Sequence, residues 1–86
     1  MISNELSYIL KSNIRFYIII KLKNDSKTPK ELSKDNFYIT HISSNLKDLE
    51  EKEYVICLNP ENRKNKKFTL TMKSKKMLEY LHELTS

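Results

Sequence analysis

The chain has 86 residues, of which 38% are hydrophobic and 31% are charged, a composition that excludes a fully disordered protein. This length predicts a single domain over residues 1–86, because a second domain would leave each half too small to bury a core. The formal net charge of +5 is compatible with a polyanionic partner.

Most of the excess positive charge lies in the last third of the chain. Residues 1–58 hold nine Lys and Arg against eight Asp and Glu, whereas residues 59–86 hold seven against three. Arg63, Lys64, Lys66 and Lys67 are nearly adjacent in this second segment. We therefore expect a polyanion to bind there.

From the sequence we expect neither a signal peptide nor a metal site. Its single cysteine, Cys57, excludes an internal disulfide and a multi-cysteine zinc cluster, and predicts a small buried hydrophobe. The first residues do not resemble a signal peptide, and the longest apolar run, residues 16–20, is too short to span a bilayer. We expect a cytoplasmic protein that uses no cofactor, no metal and no membrane.

A first helix is predicted near the start of the sequence. Ser3 or Asn4 can cap a first helix, in which apolar residues recur at helical intervals. The segment 14–22 is rich in β-branched residues and in isolation predicts a buried strand, but its uninterrupted apolar pattern with interspersed charges favours a helix. Such a helix has surplus apolar surface at Tyr17 and Ile20, which serves either the core or a dimer contact.

The clearest local signal is Thr28-Pro29-Lys30-Glu31. Thr28 can cap a helix, Pro29 suits its first turn, and Glu31 can reach back to the Thr28 amide. Asp35 and Asn36 end this helix within about two turns. In a chain without glycine, Asn36 is suited to a left-handed turn position.

A third helix is predicted over residues 39–53. Ile39, Ile42, Leu46 and Leu49 repeat at helical spacing and predict one buried stripe. The opposite face is short and polar in its N-terminal half and acidic from Asp48 onward.

A hairpin and a last helix complete the chain. Residues 54–58 and 67–70 predict two strands around a polar loop, and Thr71 caps a final helix. The order of helix, helix, helix, hairpin and helix predicts a mainly α fold with a two-stranded β-hairpin. This is a winged helix-turn-helix with a three-helix core, a wing and a C-terminal helix.

This arrangement favours binding to double-stranded DNA. A major groove admits one helix, whose N-terminal side chains reach base edges, while a basic loop can contact phosphates. His41 has an equally good interpretation as an ordinary exposed polar residue. The predicted DNA-binding residues are Thr28, Lys30, Thr40, His41, Ser43, Ser44, Lys47, Arg63, Lys64, Lys66 and Lys67.

Several segments also resemble a known family. Residues 28–33, TPKELS, resemble the T-P-x-E-L-A opening of helix two in MarR- and ArsR-type winged-helix regulators. Residues 42–55, ISSNLKDLEEKEYV, are similar to their V-S-R-x-L-x-x-L-E-x-K-G-L-V recognition helix and strand. Residues 57–61 and 68–71 resemble the wing and its exit in archaeal members, and the likeness spans residues 6 to 82.

The resemblance implies a homodimeric transcription regulator whose dimer interface is formed by the first and last helices. The chain departs from the family where Asn36, Glu53 and Asn65 replace usual glycines. Asn can hold a left-handed conformation, whereas Glu53 does so less readily. Ser44 replaces a frequent arginine, and the paired cysteines of ArsR metal sites are missing.

The sequence has two alternatives to DNA binding, a protein-interaction module and an enzyme. A winged helix can serve as a protein-interaction module within a larger complex, without sequence-specific DNA binding. An enzyme is disfavoured, because the sequence has no glycine-rich phosphate loop, no Cys–His pair with an orienting group and no spaced carboxylate pair in an apolar setting.

Overall fold

The computed structural model describes residues 4–34 and 37–85. Within these residues the chain forms five helices and one antiparallel two-stranded sheet. Their order is α1 (Asn4–Leu10), α2 (Asn13–Lys21), α3 (Pro29–Leu32), α4 (Ile39–Glu51), β1 (Val55–Cys57), β2 (Phe68–Leu70) and α5 (Met72–Thr85). The predicted winged helix-turn-helix fold is confirmed.

The N-terminal helical region is divided where the sequence prediction counted one helix. Ser12 adopts an extended conformation, and its side chain accepts a hydrogen bond from the Arg15 amide, which caps α2. The β-branched segment 14–22 is helical, as predicted, over Asn13–Lys21. Ser3, one of the two predicted caps of the first helix, lies outside the described residues.

The capping box at α3 is confirmed. The Thr28 hydroxyl accepts from the Glu31 amide at 3.2 Å, and the Glu31 carboxylate accepts from the Thr28 amide at 2.9 Å. The helix that follows has only four residues and ends at Leu32. The predicted helix break at Asp35-Asn36 and the left-handed turn at Asn36 lie outside the described residues.

The buried stripe of α4 is confirmed except at its first member. Ile42, Leu46 and Leu49 are fully buried in the core. Ile39 is 46% exposed, so its predicted burial was wrong. As the first residue of α4, it has no earlier turn of the same helix beside it and extends beyond the core.

The helix also ends earlier than predicted, at Glu51 instead of residue 53. Glu53 follows with a φ of 66°, the left-handed region that a glycine would occupy without strain. Asn65, the replacement in the loop, does not have a positive φ. The single left-handed residue among those described therefore lies at the junction of α4 with the hairpin.

The strands are shorter than predicted and pair in the register Val55↔Leu70, Ile56↔Thr69 and Cys57↔Phe68. A third segment joins the sheet at one point, because Lys27 and Phe68 exchange backbone hydrogen bonds of 3.0 and 2.8 Å. This bridge holds the chain before α3 against the hairpin. Cys57 is half-buried and packs against the core, so its predicted full burial is only partly met.

Two hydroxyl groups at the start of α5 hold the junction. Thr71 Oγ1 donates to the Glu53 carbonyl at 2.7 Å, and Ser74 Oγ donates to the Tyr54 carbonyl at 2.6 Å. Ser74 is completely buried. The Ser74 amide in turn donates to Thr71 Oγ1, which confirms Thr71 as the cap of the last helix.

An aromatic stack with cations joins α1 to the rest of the core. The rings of Tyr8 and Tyr54 stack at 5.8 Å, and the Arg15 guanidinium lies 3.9 Å from the Tyr8 ring centroid. Lys73 lies over the Tyr54 ring and forms a 3.0 Å ion pair with Glu5. The hydrogen bond to Glu5 holds the pKa of Lys73 above its ordinary value, and burial raises the pKa of Tyr54.

Glu53→Gly should stabilise the protein by about 1 kcal/mol, because glycine adopts positive φ without the Cβ clash. Thermal unfolding should then shift upward by roughly 4–8 °C. Glu53→Ala is the matched control, since it removes the carboxylate but keeps the Cβ, and it should show no such gain. An unchanged or lower melting temperature for the glycine variant would contradict the strained junction.

Candidate nucleic-acid interface

A cleft of about 420 Å³ separates α4 from the loop between the two strands. We call residues 58–67, which connect β1 to β2, the wing. Five predicted site residues from the two elements line this cleft together: Ser43, Lys47, Arg63, Lys64 and Lys66. Pro29, Leu46, Glu50 and Phe68 complete its wall.

The helical side of the cleft follows from the spacing along α4. Ser43, Lys47 and Glu50 are four and then three residues apart, so they lie on one side of the helix. Thr40 and Ser44 are exposed on the adjoining side, away from the buried stripe. Between Thr40 and Lys47, this part of the α4 surface therefore presents small hydroxyl groups beside one lysine.

The wing is held by asparagine side chains. Asn59 Oδ1 accepts from the Lys67 amide at 2.7 Å, and Asn59 Nδ2 donates to the Asn65 carbonyl at 2.8 Å. Asn62 Oδ1 accepts from the Lys64 and Asn65 amides at 3.0 and 3.1 Å. Side chains thus hold the turn in a segment that contains no glycine.

All four basic side chains of the wing are exposed. Among the described residues, the ion pairs are Lys27–Asp25 and Lys73–Glu5, and neither involves the wing. Lys67 nevertheless lies near enough to Glu31 to help lower the pKa of that carboxylate, and Glu50 shares the cleft with the other three wing cations. Lys67, the fourth of them, is exposed but does not line the cleft.

Thr28 and Lys30 lie at the start of α3. The Thr28 hydroxyl and amide are both engaged in the capping box. The pKa of Glu31 is lowered, chiefly because its carboxylate accepts the Thr28 backbone N–H. Thr28 therefore has a structural role in this fold, and Lys30 is exposed beside it.

His41 lies at the N-terminal end of α4, outside the cleft. Its ring meets the Tyr38 ring edge-on at a centroid distance of 6.0 Å, and its carbonyl accepts from Asn45 Nδ2 at 2.9 Å. Tyr38, the N-cap residue, is highly exposed and was not among the predicted site residues. Glu50 was also missed as a cleft residue, because its acidic character had placed it with the distal half of the helix.

Two further cavities lie away from the wing. One of about 430 Å³ is lined by residues of α5 and by Lys23 and Asn24. The other, about 320 Å³, lies along α2 beside Tyr17 and Ile20. The Tyr17 hydroxyl donates to the Leu32 carbonyl at 2.7 Å and its ring packs on Phe37, so Tyr17 serves the core, whereas Ile20 remains exposed.

Neither a metal cluster nor a membrane span is found in the part of the chain that the structure describes. No three His, Cys, Asp or Glu side chains of residues 4–34 and 37–85 are grouped to hold a metal ion. Over the same ranges, no helix has the length and apolar character needed to cross a membrane.

Comparison with known proteins gives a structural likeness. The fold is similar to HlyU from Vibrio cholerae N16961, with a TM-score of 0.75 and 23% sequence identity. The match covers 92% of this chain and 86% of HlyU. No protein-family model matches the sequence, and no curated protein matches it either. The likeness supports the winged helix-turn-helix fold.

Asn59→Ala should loosen the wing, because the substitution removes the acceptor of the Lys67 amide and the donor to the Asn65 carbonyl. We expect faster hydrogen exchange at the Lys67 amide, with a loss of about 1 kcal/mol in the protection of that amide. Asn45→Ala is the control, since it removes a side-chain hydrogen bond to the backbone from an unrelated place. Unaltered exchange at Lys67 in the Asn59 variant would contradict the asparagine-held turn.

Proposed function

We propose that the protein is a transcription regulator that binds double-stranded DNA. The N-terminal half of α4, in the helix predicted over residues 39–53, enters the major groove, and the wing lies on phosphates. The observation that carries this proposal is the shared cleft, in which Ser43 and Lys47 of the helix face Arg63, Lys64 and Lys66 of the wing. Apart from Glu50, the polar side chains that helix and wing contribute to this cleft are hydroxyl or basic groups.

The distribution of charge along α4 supports the orientation. Thr40 and Ser44 are small and hydrogen-bonding, which lets a helix approach base edges closely. Two of the three exposed acidic residues in the C-terminal half, Asp48 and Glu51, do not line the cleft. Glu51 lies about 10 Å beyond Ser44 along the helix axis, at 1.5 Å per residue. If the N-terminal end of α4 enters the groove, the carboxylates of Asp48 and Glu51 lie farther from the DNA backbone than the hydroxyl groups of Thr40 and Ser44 do.

The motif likeness supports a more specific assignment. Residues 28–33 and 42–55 resemble helix two and the recognition helix of MarR- and ArsR-type regulators, and they form α3 and α4 with the start of β1. We assign the protein to this type of regulator. Thr40, His41, Ser43, Ser44 and Lys47 would then supply the base contacts, with Lys30 beside them and the wing cations on phosphate.

We also propose that the protein is a homodimer through its first and last helices. The predicted first helix corresponds to α1 and α2. Exposed apolar side chains remain there and on the last helix, with Leu10 on α1, Ile20 on α2 and Tyr80 and Leu84 on α5. The Lys73–Glu5 ion pair brings the start of α5 next to α1, so the two helices can contribute to one surface. Two-fold symmetry would place the two recognition helices about 34 Å apart, one turn of DNA.

The second candidate is a protein-interaction module, and Glu50 is the observation that favours it. Its carboxylate lies in the same cleft as the wing cations, where it would repel a phosphate. A protein partner that carries both acidic and basic side chains could pair with Glu50 and with the wing cations. The two functions differ in their dependence on salt, because only DNA binding releases condensed counterions.

Binding to random duplex DNA should weaken steeply as salt rises. Four wing cations on phosphates predict a slope of about −3.6 in log K against log salt concentration. Replacing Arg63, Lys64, Lys66 and Lys67 by Ala should remove most of that slope and weaken binding to all sequences. Fluorescence anisotropy across a salt series measures both quantities.

The matched control replaces four exposed lysines remote from the cleft, Lys21, Lys23, Lys75 and Lys76, by Ala. It removes the same charge and should keep most of the slope. A flat salt response of the unmodified protein would contradict DNA binding and favour the interaction module. An equal loss of affinity and of salt dependence in the two variants would indicate an effect of net charge alone.

The double variant Leu10→Glu/Leu84→Glu should dissociate the dimer, because it places charges on the proposed apolar interface. Sedimentation velocity over a range of protein concentrations should show a dimer for the unmodified protein and a monomer for the variant. Leu58→Glu is the control, since Leu58 is an exposed leucine of the wing and its replacement should leave the dimer intact. A monomeric unmodified protein at every concentration would contradict the interface.

A further inference from the structure

The N-terminal end of α4 carries two exposed apolar side chains. Tyr38 is 79% exposed, more than any other large hydrophobic residue of the described chain, and the adjacent Ile39 is 46% exposed. Neither belongs to the hydrophobic core. A tyrosine and an isoleucine side by side in solvent form an apolar surface that burial against a partner would stabilise.

The two side chains are placed in a defined way. The Tyr38 ring stands perpendicular to the His41 ring of the first turn of α4, with an interplanar angle of 88°. Ile39 precedes Ser43 by one helical turn and so lies towards the cleft side of α4. Tyr38 and Ile39 thus extend the polar surface of the helix by an apolar tip.

The surroundings of this tip indicate the chemistry of its partner. This apolar tip is followed along α4 by Ser43 and Lys47. Both residues line the cleft together with Arg63, Lys64 and Lys66. A duplex bound along α4 and the wing, with the helix in its major groove, would bring its base edges to the tip of the helix. The apolar group displayed on those edges is the C5-methyl of thymine, and apolar side chains are its usual contacts.

We propose that Tyr38 and Ile39 read thymine methyl groups in the major groove and give the protein a preference for A·T pairs at the tip of α4. This inference rests on the proposed DNA binding. It adds two specificity-determining residues to the hydroxyl groups and Lys47, and it assigns them a ligand. The wing supplies affinity that is independent of sequence, whereas the apolar tip discriminates between bases.

The test compares thymine with uracil, which pairs in the same way but lacks the methyl group. Duplexes that the unmodified protein selects from a random pool are prepared in two forms, with thymidine or with deoxyuridine in its place. We expect binding to weaken about fourfold for each methyl group in contact, since one buried carbon contributes about 0.8 kcal/mol. Fluorescence anisotropy at one fixed salt concentration measures the ratio.

The double variant Tyr38→Ala/Ile39→Ala should bind the two forms equally and should match the affinity of the unmodified protein for the uracil form. Both positions are exposed, so the variant should keep its fold, which circular dichroism verifies. Ile56→Ala/Met72→Ala is the matched control, because it removes two exposed apolar side chains that lie outside the wing and the cleft, and it should keep the thymine preference. Tyr38→Phe should also keep the thymine preference, because the apolar ring is retained.

The outcomes separate this inference from the function on which it depends. Salt-dependent binding with equal affinity for the thymine and uracil forms would overturn the methyl contact and leave DNA binding in place. A thymine preference that persists in the Tyr38/Ile39 variant would also overturn it. The absence of salt-dependent DNA binding would overturn both proposals.

Discussion

The junction between α4 and the hairpin is the constraint on which the rest of the structure depends. The chain turns there at Glu53 with a left-handed backbone, and the carbonyl groups of Glu53 and Tyr54 accept hydrogen bonds from Thr71 and Ser74. These contacts connect the end of α4 to the start of α5 across the whole hairpin. Because β1 starts directly after the junction, its geometry sets the angle between α4 and the wing, and hence the width of the cleft.

The parts of the fold that could be predicted from the sequence are those governed by local patterns. The spacing of Ile42, Leu46 and Leu49 determines which side of α4 is buried. The capping box of Thr28 and Glu31 needs only four consecutive residues to form. The basic cluster of the wing is evident from composition, because a loop between two short strands is exposed wherever the hairpin packs.

The remaining features depend on groups that are distant in sequence or on the ends of elements. Ile39 fits the buried stripe by periodicity, yet it is exposed because the core does not extend to the first turn of α4. Lys67 is held by Asn59 across eight residues, a contact that no local pattern indicates. Glu50 lines the cleft because the wing packs near it, and residue type alone had placed it away from the site.

The asparagine-held wing also has an entropic consequence. A loop of ten residues that moved freely would lose conformational entropy on meeting a partner, which subtracts from affinity. Here Asn59 and Asn62 order the backbone of the turn before any partner arrives. The ordering cost is then met during folding, and only the long side chains of Arg63, Lys64, Lys66 and Lys67 remain to be immobilised. A chain without glycine thereby presents its cations from a preorganised backbone.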